Sequence, residues 1–443
     1  MEQILNVRIE QYKEEMYEKL AELIRIPSVL DTESACENAP YGKANREALD
    51  KTIEIGKELG FETRDYEGHA ATISWGSEGR EIGILSHVDV VPAGTGWNTD
   101  PFDPVIIDGK MFGRGTIDDK GPMIAALYAM RAVKESGLPV RNHVKHIIGC
   151  NEESGHKCVK YYLSKEKGPD FGFSPDANFA VIHGEKAILR FRVRKSFEQT
   201  EKAGVSILKI EGGTVANSVP NIAKVWIRNA DGQMEEKTFH GVSVHAEHPW
   251  DGENAIHKML DYLKDLDFVD GNVKEYISAV YELMGEGCFG ENMGIACEDR
   301  LSGKLSMNLG TMYMDEKEAV IELDIRCPLH SSPEMIKRTL ILACEGRGLS
   351  VEQSHSAEAL YVPKDSELVQ SLLNVYNEMT GSNEVPMVIG GGTYCRDVQN
   401  FVSFGPLFPD EPDFAHQANE YIDLENMLLS AKIYAQALYK LMK

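Results

Sequence analysis

Apolar residues recur every three or four positions at the start of the chain, at Ile9, Tyr12, Met16, Leu20, Leu23 and Ile24, among Glu and Lys. That period places one apolar stripe on a helix, which is predicted to end before Pro27. A second amphipathic helix is predicted over about 44–59. Strand-like pieces follow at 61–64 and 71–75; then 82–85 is apolar without a break and runs into Ser86 and His87. A continuous apolar run has no polar face, so it belongs in a sheet covered on both sides. The pattern next predicts a helix over 121–136, a buried strand over 144–149 and a helix over 156–165. Strand and helix alternate, which defines an α/β unit with a largely parallel mixed sheet covered by helices.

From about residue 187 the pattern changes. Alternating stretches such as 188–193, Gly-rich turns and helices near 254–263 and 333–344 describe an α+β unit. Ser332-Pro333-Glu334 is a good helix start, a capping hydroxyl followed by proline in the first turn. Near Tyr361 the first pattern resumes, with a helix carrying Leu368, Leu372, Tyr376 and Met379, a Gly390-Gly391-Gly392 turn and a last helix over 424–442. The α+β stretch is therefore expected as an insertion: a discontinuous domain of 1–186 and 358–443, carrying a second domain of 187–357. No internal repeat or low-complexity tract interrupts either.

Composition narrows the setting more than the fold. At 42% hydrophobic, 443 residues supply two cores, since single cores stop growing at about 250–300 residues. With 46 Lys and Arg against 70 Asp and Glu, the net charge of −24 argues against a nucleic-acid or anionic-membrane surface. Residues 1–10 hold no apolar signal core, and no stretch approaches the ~18 apolar residues of a spanning helix, so a cytoplasmic protein is expected. The eight cysteines, at 36, 150, 158, 288, 297, 327, 344 and 395, include no Cys-x-x-Cys pair and suit reduced thiols, none of them a ligand.

Candidate chemistry centres on Glu152 and Glu153, adjacent carboxylates just beyond the predicted strand 144–149. An unpaired buried charge is costly and is normally paired or metal-bound, so the pair calls for a cation. A solvated pair favoured by the dipole of the following helix is the plain alternative. In open α/β sheets ligands gather in loops beyond the carboxyl ends of strands. Four more stretches qualify there. His87-Val88-Asp89 follows 82–85, and Asp89 is spaced to orient the imidazole by accepting its second N–H. Gly113-Arg114-Gly115-Thr116-Ile117-Asp118-Asp119-Lys120-Gly121 sets adjacent acids in a glycine-rich turn before a helix, where simple capping is the alternative. Ser174-Pro175-Asp176-Ala177 sets an acid beyond a short apolar piece, as a plain turn also would. Phe414-Ala415-His416-Gln417-Ala418-Asn419-Glu420 places a histidine before the last helix.

Taken as an ordered set, these stretches resemble the M20 family of metallopeptidases with two zinc ions, and most closely its monomeric bacterial dipeptidases of the PepV type. Gly94-Thr-Gly-Trp97, His183-Gly-Glu-Lys186, Asn217-Ser-Val-Pro220 and Gly390-Gly-Gly-Thr393 extend the likeness over nearly the whole chain. The resemblance implies that Asp118 bridges both metals and that the Asp118-Asp119 peptide is cis. It implies that His87 and Asp176 complete one zinc site and Glu153 and His416 the other, with manganese or cobalt as substitutes that such mixed N and O ligands also suit. Asp89 becomes the partner of His87, and Glu152 the general base that takes a proton from the water between the metals. From the inserted lid, His245 is implied to stabilise the oxyanion, and Asn217 and Arg326 to hold the substrate's terminal carboxylate. Gly391 and Gly392 would offer backbone N–H groups to substrate. For Arg326 the plain alternative is an edge-strand surface charge, and for the glycines a turn.

The activity so implied is hydrolysis of Xaa-Xaa dipeptides, with β-Ala-Xaa substrates left open. Asp176 stands where deacylase-like members usually carry Glu. The long lid resembles those that supply their histidine within one chain, so a monomer is expected. An N-acyl amino-acid deacylase or desuccinylase of the same family is the competing reading, and a non-catalytic metal or peptide binder a third, which the retention of Glu152 opposes. The chain has no His-Glu-x-x-His, Gly-x-Ser-x-Gly or Walker loop. It departs from the family in Asn151, where an Asp commonly precedes the Glu pair, and in Cys395 after the Gly-rich loop.

Overall fold

Residues 82–87 are all buried in the strand Glu81–His87, so both of its faces are covered. The structure, a computed structural model, describes residues 2–198 and 204–443. Glu81–His87 lies inside a mixed sheet, parallel to His143–Gly149 on one side and to Phe171–Ser174 on the other. Phe401–Ser403 continues the sheet in parallel beyond Phe171–Ser174. Ala70–Trp75 and then Glu62–Tyr66 extend it antiparallel beyond His143–Gly149. The helices Gln3–Ile24, Lys120–Ser136 and Leu424–Met442 pack on one another, and Lys120–Ser136 also contacts Glu81–His87. Lys120–Ser136 is buried on every side from Lys120 to Met130, as its nearly unbroken run of small and apolar residues requires. Lys43–Glu58 and Lys157–Lys165 pack on Ala70–Trp75.

These elements form one of two compact units; it runs to His183 and resumes over Tyr361–Met387 and Thr393–Lys443. The other comprises Gly184–Leu360 and Val388–Gly392. The second unit carries a seven-stranded antiparallel sheet in the order Met234–His240, Ile222–Arg228, Ser206–Gly212, Ser306–Met314, Glu318–Cys327, Ala187–Ser196 and Ser350–Ala357. Leu189, Phe191 and Val193 point into a core with residues of the helices Ala255–Leu263, Gly271–Met284 and Pro333–Glu345. The intervening Arg190 and Arg192 take the other face, where they pair with Asp324 and Glu322. Gly271–Met284 is a helix beyond those predicted above, although Val273, Tyr276, Ile277, Val280 and Leu283 have the helical period. The fold class is the one the alternation predicts, an α/β unit with a mixed sheet and an α+β unit. Among the described residues no helix is long and apolar enough to cross a membrane. Among the described residues no disulfide joins any of the eight cysteines.

Candidate metal centre

Parallel pairing aligns His87 with Gly149, so two strands end side by side. The loop after His87 brings Asp89, and the loop after Gly149 brings Glu152 and Glu153, to the same carboxyl-end edge. Phe171–Ser174, on the other side of Glu81–His87, leads directly to Asp176. Asp118 stands in the turn before the helix Lys120–Ser136, and His416 in the loop before Tyr421–Asp423.

His87 Nε2 lies 3.1 Å from Asp118 Oδ1 and 3.4 Å from Asp176 Oδ2. His416 Nε2 lies 2.9 Å from Asp118 Oδ2 and 3.0 Å from Glu153 Oε2. Ligand atoms of His87, Asp118 and Asp176 fall within 4.8 Å of one another, and so do those of Asp118, Glu153 and His416. Asp118 therefore offers one oxygen to each of two adjacent groups. His87 is fully buried and its Nε2 has no hydrogen-bond partner. A buried nitrogen that faces two carboxylates with its bonding capacity unused fits a metal ion.

Charge balance points the same way. Burial and the nearby charge of Asp118 push the Glu153 carboxyl up to about 8 and that of Asp176 up to about 6. Hydrogen bonds to Asp118 and Glu153 push His416 up to about 11. Burial works against charge on His87, but the nearby carboxylates of Asp118, Asp176 and Asp89 hold it well above the usual histidine range. Burial would also raise Asp118, and the two histidines more than offset this. The crowded carboxylates thus demand positive charge, which divalent ions would supply while leaving both imidazoles neutral.

The surrounding hydrogen bonds refine the expected roles. His87 Nδ1 lies 2.9 Å from the main-chain oxygen of Asp89 and 3.5 Å from its carboxylate. A carbonyl only accepts, so Nδ1 carries the proton and Nε2 keeps its lone pair for a metal. The Asp89 carboxylate instead accepts the backbone N–H groups of both Glu152 and Glu153, each at 3.1 Å. Asp89 thus holds His87 chiefly through its carbonyl and fastens the glutamate pair with its side chain. The Asp118-Asp119 peptide is cis, and Asp119 Oδ2 accepts the His87 backbone N–H at 3.0 Å, tying the turn to the strand end. Glu152 lies in neither ligand group; its Oε1 is 3.1 Å from His156 Nε2. Gly149 is required where it stands, because a Cβ there would lie 2.0 Å from the hydroxyl oxygen of Tyr394. Asn151 braces the glutamate loop, its carbonyl accepting the His156 N–H and its side-chain oxygen that of Lys157. Cys395 is buried.

Sequence reasoning assigned no role to Glu420, yet it is wholly buried and holds the turn that presents Asp118. Its Oε1 accepts the N–H groups of Gly115 and Ile117 at 3.0 Å and of Asp118 at 3.3 Å, while Oε2 pairs with Arg114 Nη1 at 2.6 Å. The only signal for it was the presence of a buried-type cation and an acid in two of the matched stretches.

Asn217, His245, Arg326, Gly391 and Gly392 belong to the second unit. Arg326 is on an interior strand and only 2% exposed, so it is not the edge-strand surface charge of the plain alternative. Its guanidinium is anchored by the Asp324 carboxylate and by the Gly390 carbonyl at 2.9 Å. Asn217 is partly exposed and is presented by Asn308, whose side-chain amide donates to the carbonyls of Ala216 and Ser218. Burial and the charge of Arg326 lower the pKa of His245, which keeps its ring neutral. Glu247, two residues further on, lies 3.9 Å from that ring and accepts the Gly390 N–H. It too was missed. Gly391 and Gly392 follow Gly390, and Gly392 is exposed.

An α/β sheet with two carboxylate-bridged ligand groups beyond its strand ends is the framework of a metal-dependent hydrolase. The model of peptidase family M20/M25/M40 matches residues 83–440. A curated relative from Bacillus subtilis (strain 168), named "Putative dipeptidase YtjP", is 34% identical over 464 residues, covering 99% of this chain and 99% of its own. The chain belongs to peptidase family M20/M25/M40. Two crystal structures share the fold. Aminoacylhistidine dipeptidase from Vibrio alginolyticus matches with a TM-score of 0.64 at 15% identity, over 97% of this chain and 96% of its own. The Bacillus subtilis YXEP protein, described as a dinuclear metal binding peptidase from the M20 family, matches with a TM-score of 0.54 at 13% identity, over 98% and 99%.

Proposed function

We propose that this M20 peptidase is a two-zinc dipeptidase that hydrolyses Xaa-Xaa dipeptides, with Glu152 as its general base. The observation that carries this reading is the sharing of Asp118 by two ligand groups, with Glu152 beside them and in neither. The dipeptide as substrate class is supported by the name of the Bacillus subtilis relative, which aligns over essentially the whole chain. Asp176 at the position where deacylase-like members usually carry Glu supports it further.

His87 and Asp176 would hold one ion, Glu153 and His416 the other, and Asp118 both; manganese or cobalt would suit the same donors. Such ions, when bound, supply the Lewis acidity that makes a water acidic and the scissile carbonyl electrophilic. Glu152 takes the proton of the attacking water on a carboxylate oxygen and delivers it to the amine nitrogen as the C–N bond breaks. Its backbone is fastened to Asp89, so its side chain keeps a fixed origin for that transfer. His245, neutral and able to donate, is proposed to stabilise the oxyanion. Asn217 and Arg326 are proposed to hold the substrate carboxylate, Asp324 and Gly390 fixing the plane of the guanidinium fork. Gly391 and Gly392 are proposed to add backbone N–H groups. A monomer that supplies His245 from its own chain is the proposed working state.

Elemental analysis and a substrate panel on one sample test the proposal. About two ions per chain after zinc loading are expected, with Ala-Ala-type dipeptides turned over and N-acetyl or N-succinyl amino acids left intact. Preferential cleavage of the acylated amino acids would make the chain a deacylase or desuccinylase instead. Glu152→Ala is expected to lower kcat by about a hundred- to ten-thousand-fold with metal content unchanged. Full activity in that variant would sink the assignment of the base.

A further inference from the structure

Glu152 is not a loose side chain. Its Oε1 lies 3.1 Å from His156 Nε2, and the other ring nitrogen of His156, Nδ1, meets Asp397 Oδ2. Ionised carboxylates only accept, so an imidazole held between two of them donates from both nitrogens. Burial works against a charged ring here, but the bonds to Asp397 and Glu152 push it up to about 9. The ring is fixed in turn by its surroundings. Fully buried Tyr394 stands edge-on to it with centroids 5.3 Å apart. Lys160 lies 3.6 Å from Asp397 Oδ1. The His156 backbone takes a left-handed turn, φ 58°, that returns its N–H to the Asn151 carbonyl at 2.8 Å and closes the loop carrying Glu152. Neither His156 nor Asp397 has a place in the reaction described above.

We propose that His156, anchored by Asp397, is a positioning residue that occupies one oxygen of the Glu152 carboxylate and so presents the other to the water and the leaving amine. The inference rests on the reading of Glu152 as the base. A glutamate side chain has several torsions, and most of its rotamers would carry the carboxylate away from a proton in transit. A donor that pins one oxygen removes those rotamers, and small misplacements of a reacting group are costly in rate. Asp397 matters because it keeps the ring facing Glu152 with a proton on each nitrogen.

The test compares the zinc-loaded, full-length chain with His156→Leu, His156→Gln, Asp397→Asn and Glu152→Gln, measuring kcat, KM and zinc content on one dipeptide. His156→Leu is expected to lower kcat by about ten- to a hundredfold while KM stays within about twofold and zinc content holds. His156→Gln, whose amide still donates to Glu152, should recover a good part of the loss. Asp397→Asn should lose less than His156→Leu, and it reads the same device should the leucine variant fail to fold. Wild-type kcat in His156→Leu, with Glu152→Gln inactive, overturns the inference and leaves the base assignment standing. A loss that arrives with lost zinc, or that glutamine does not relieve, assigns His156 a purely structural role and also overturns it. Activity retained in Glu152→Gln overturns both readings.

Discussion

His87 and His416 face the same carboxylate from two kinds of backbone. His87 closes an interior strand, is fully buried, and has its ring set by the Asp89 carbonyl. His416 sits in a loop at φ 63° with a side chain 55% exposed, and its ring nitrogen meets the very acids with which it would share a metal. One group is therefore preorganised by the sheet. The other depends on a loop that solvent reaches, and Asp118 is the ligand the two groups share.

The largest effect expected is that of Asp118→Ala, which takes an oxygen from both groups. Activity should fall on the order of a thousandfold or more, and metal content below about one ion per chain. Retention of two ions would show that the groups are independent. Glu420→Ala comes next. It breaks a buried pair with Arg114 and releases the turn bearing Asp118, so a stability loss of about 3–5 kcal/mol is expected from the urea midpoint. Both ions should weaken together, and loss of only one would break the symmetry assigned to Asp118. The histidines should then separate the groups. His87→Ala is expected to cost about 1–3 kcal/mol in the metal-free protein, and His416→Ala, whose pairing with Asp118 and Glu153 is screened by solvent, no more than about 1 kcal/mol. Equal costs would mean that the sheet contributes no more to the site than the loop does. The smallest effect is kinetic. During dialysis against a chelator, zinc should leave in two phases, and His416→Ala should abolish the faster one; loss of the slower phase instead would invert the comparison.

Much of the first unit was legible because its elements carry their signals locally. The unbroken apolar run ending at His87 becomes a strand covered on both faces, and the helix Leu424–Met442 has the bounds its period predicts. His87, Glu153 and Asp176 stood out as candidates for a related reason, since they lie at or just beyond strand ends where such sheets bind, whereas Asp118 and His416 took their expected roles from the family resemblance. Hydrogen-bond choice was not legible. Asp89 was expected to serve His87 with its carboxylate, but the register that sets His87 opposite Gly149 brings the Glu152 and Glu153 N–H groups within reach, and these take both oxygens. Glu420 and Arg114 meet because the loop after His416 folds over the Asp118 turn. No spacing in the chain announces that meeting.

By itself the sequence determined the alternation of strand and helix, the change of texture near residue 187 and the acids and histidines set at strand ends. Local period decides which residues an element buries and where it stops. Only the tertiary structure decided that Asp118 turns one oxygen to each histidine, that Asp89 fastens the glutamate pair, and that His156 and Asp397 stand behind Glu152. Apart from that between Glu152 and His156, four residues apart, those contacts join residues far apart in the chain, and they exist because strand register and loop closure bring particular atoms within hydrogen-bonding distance.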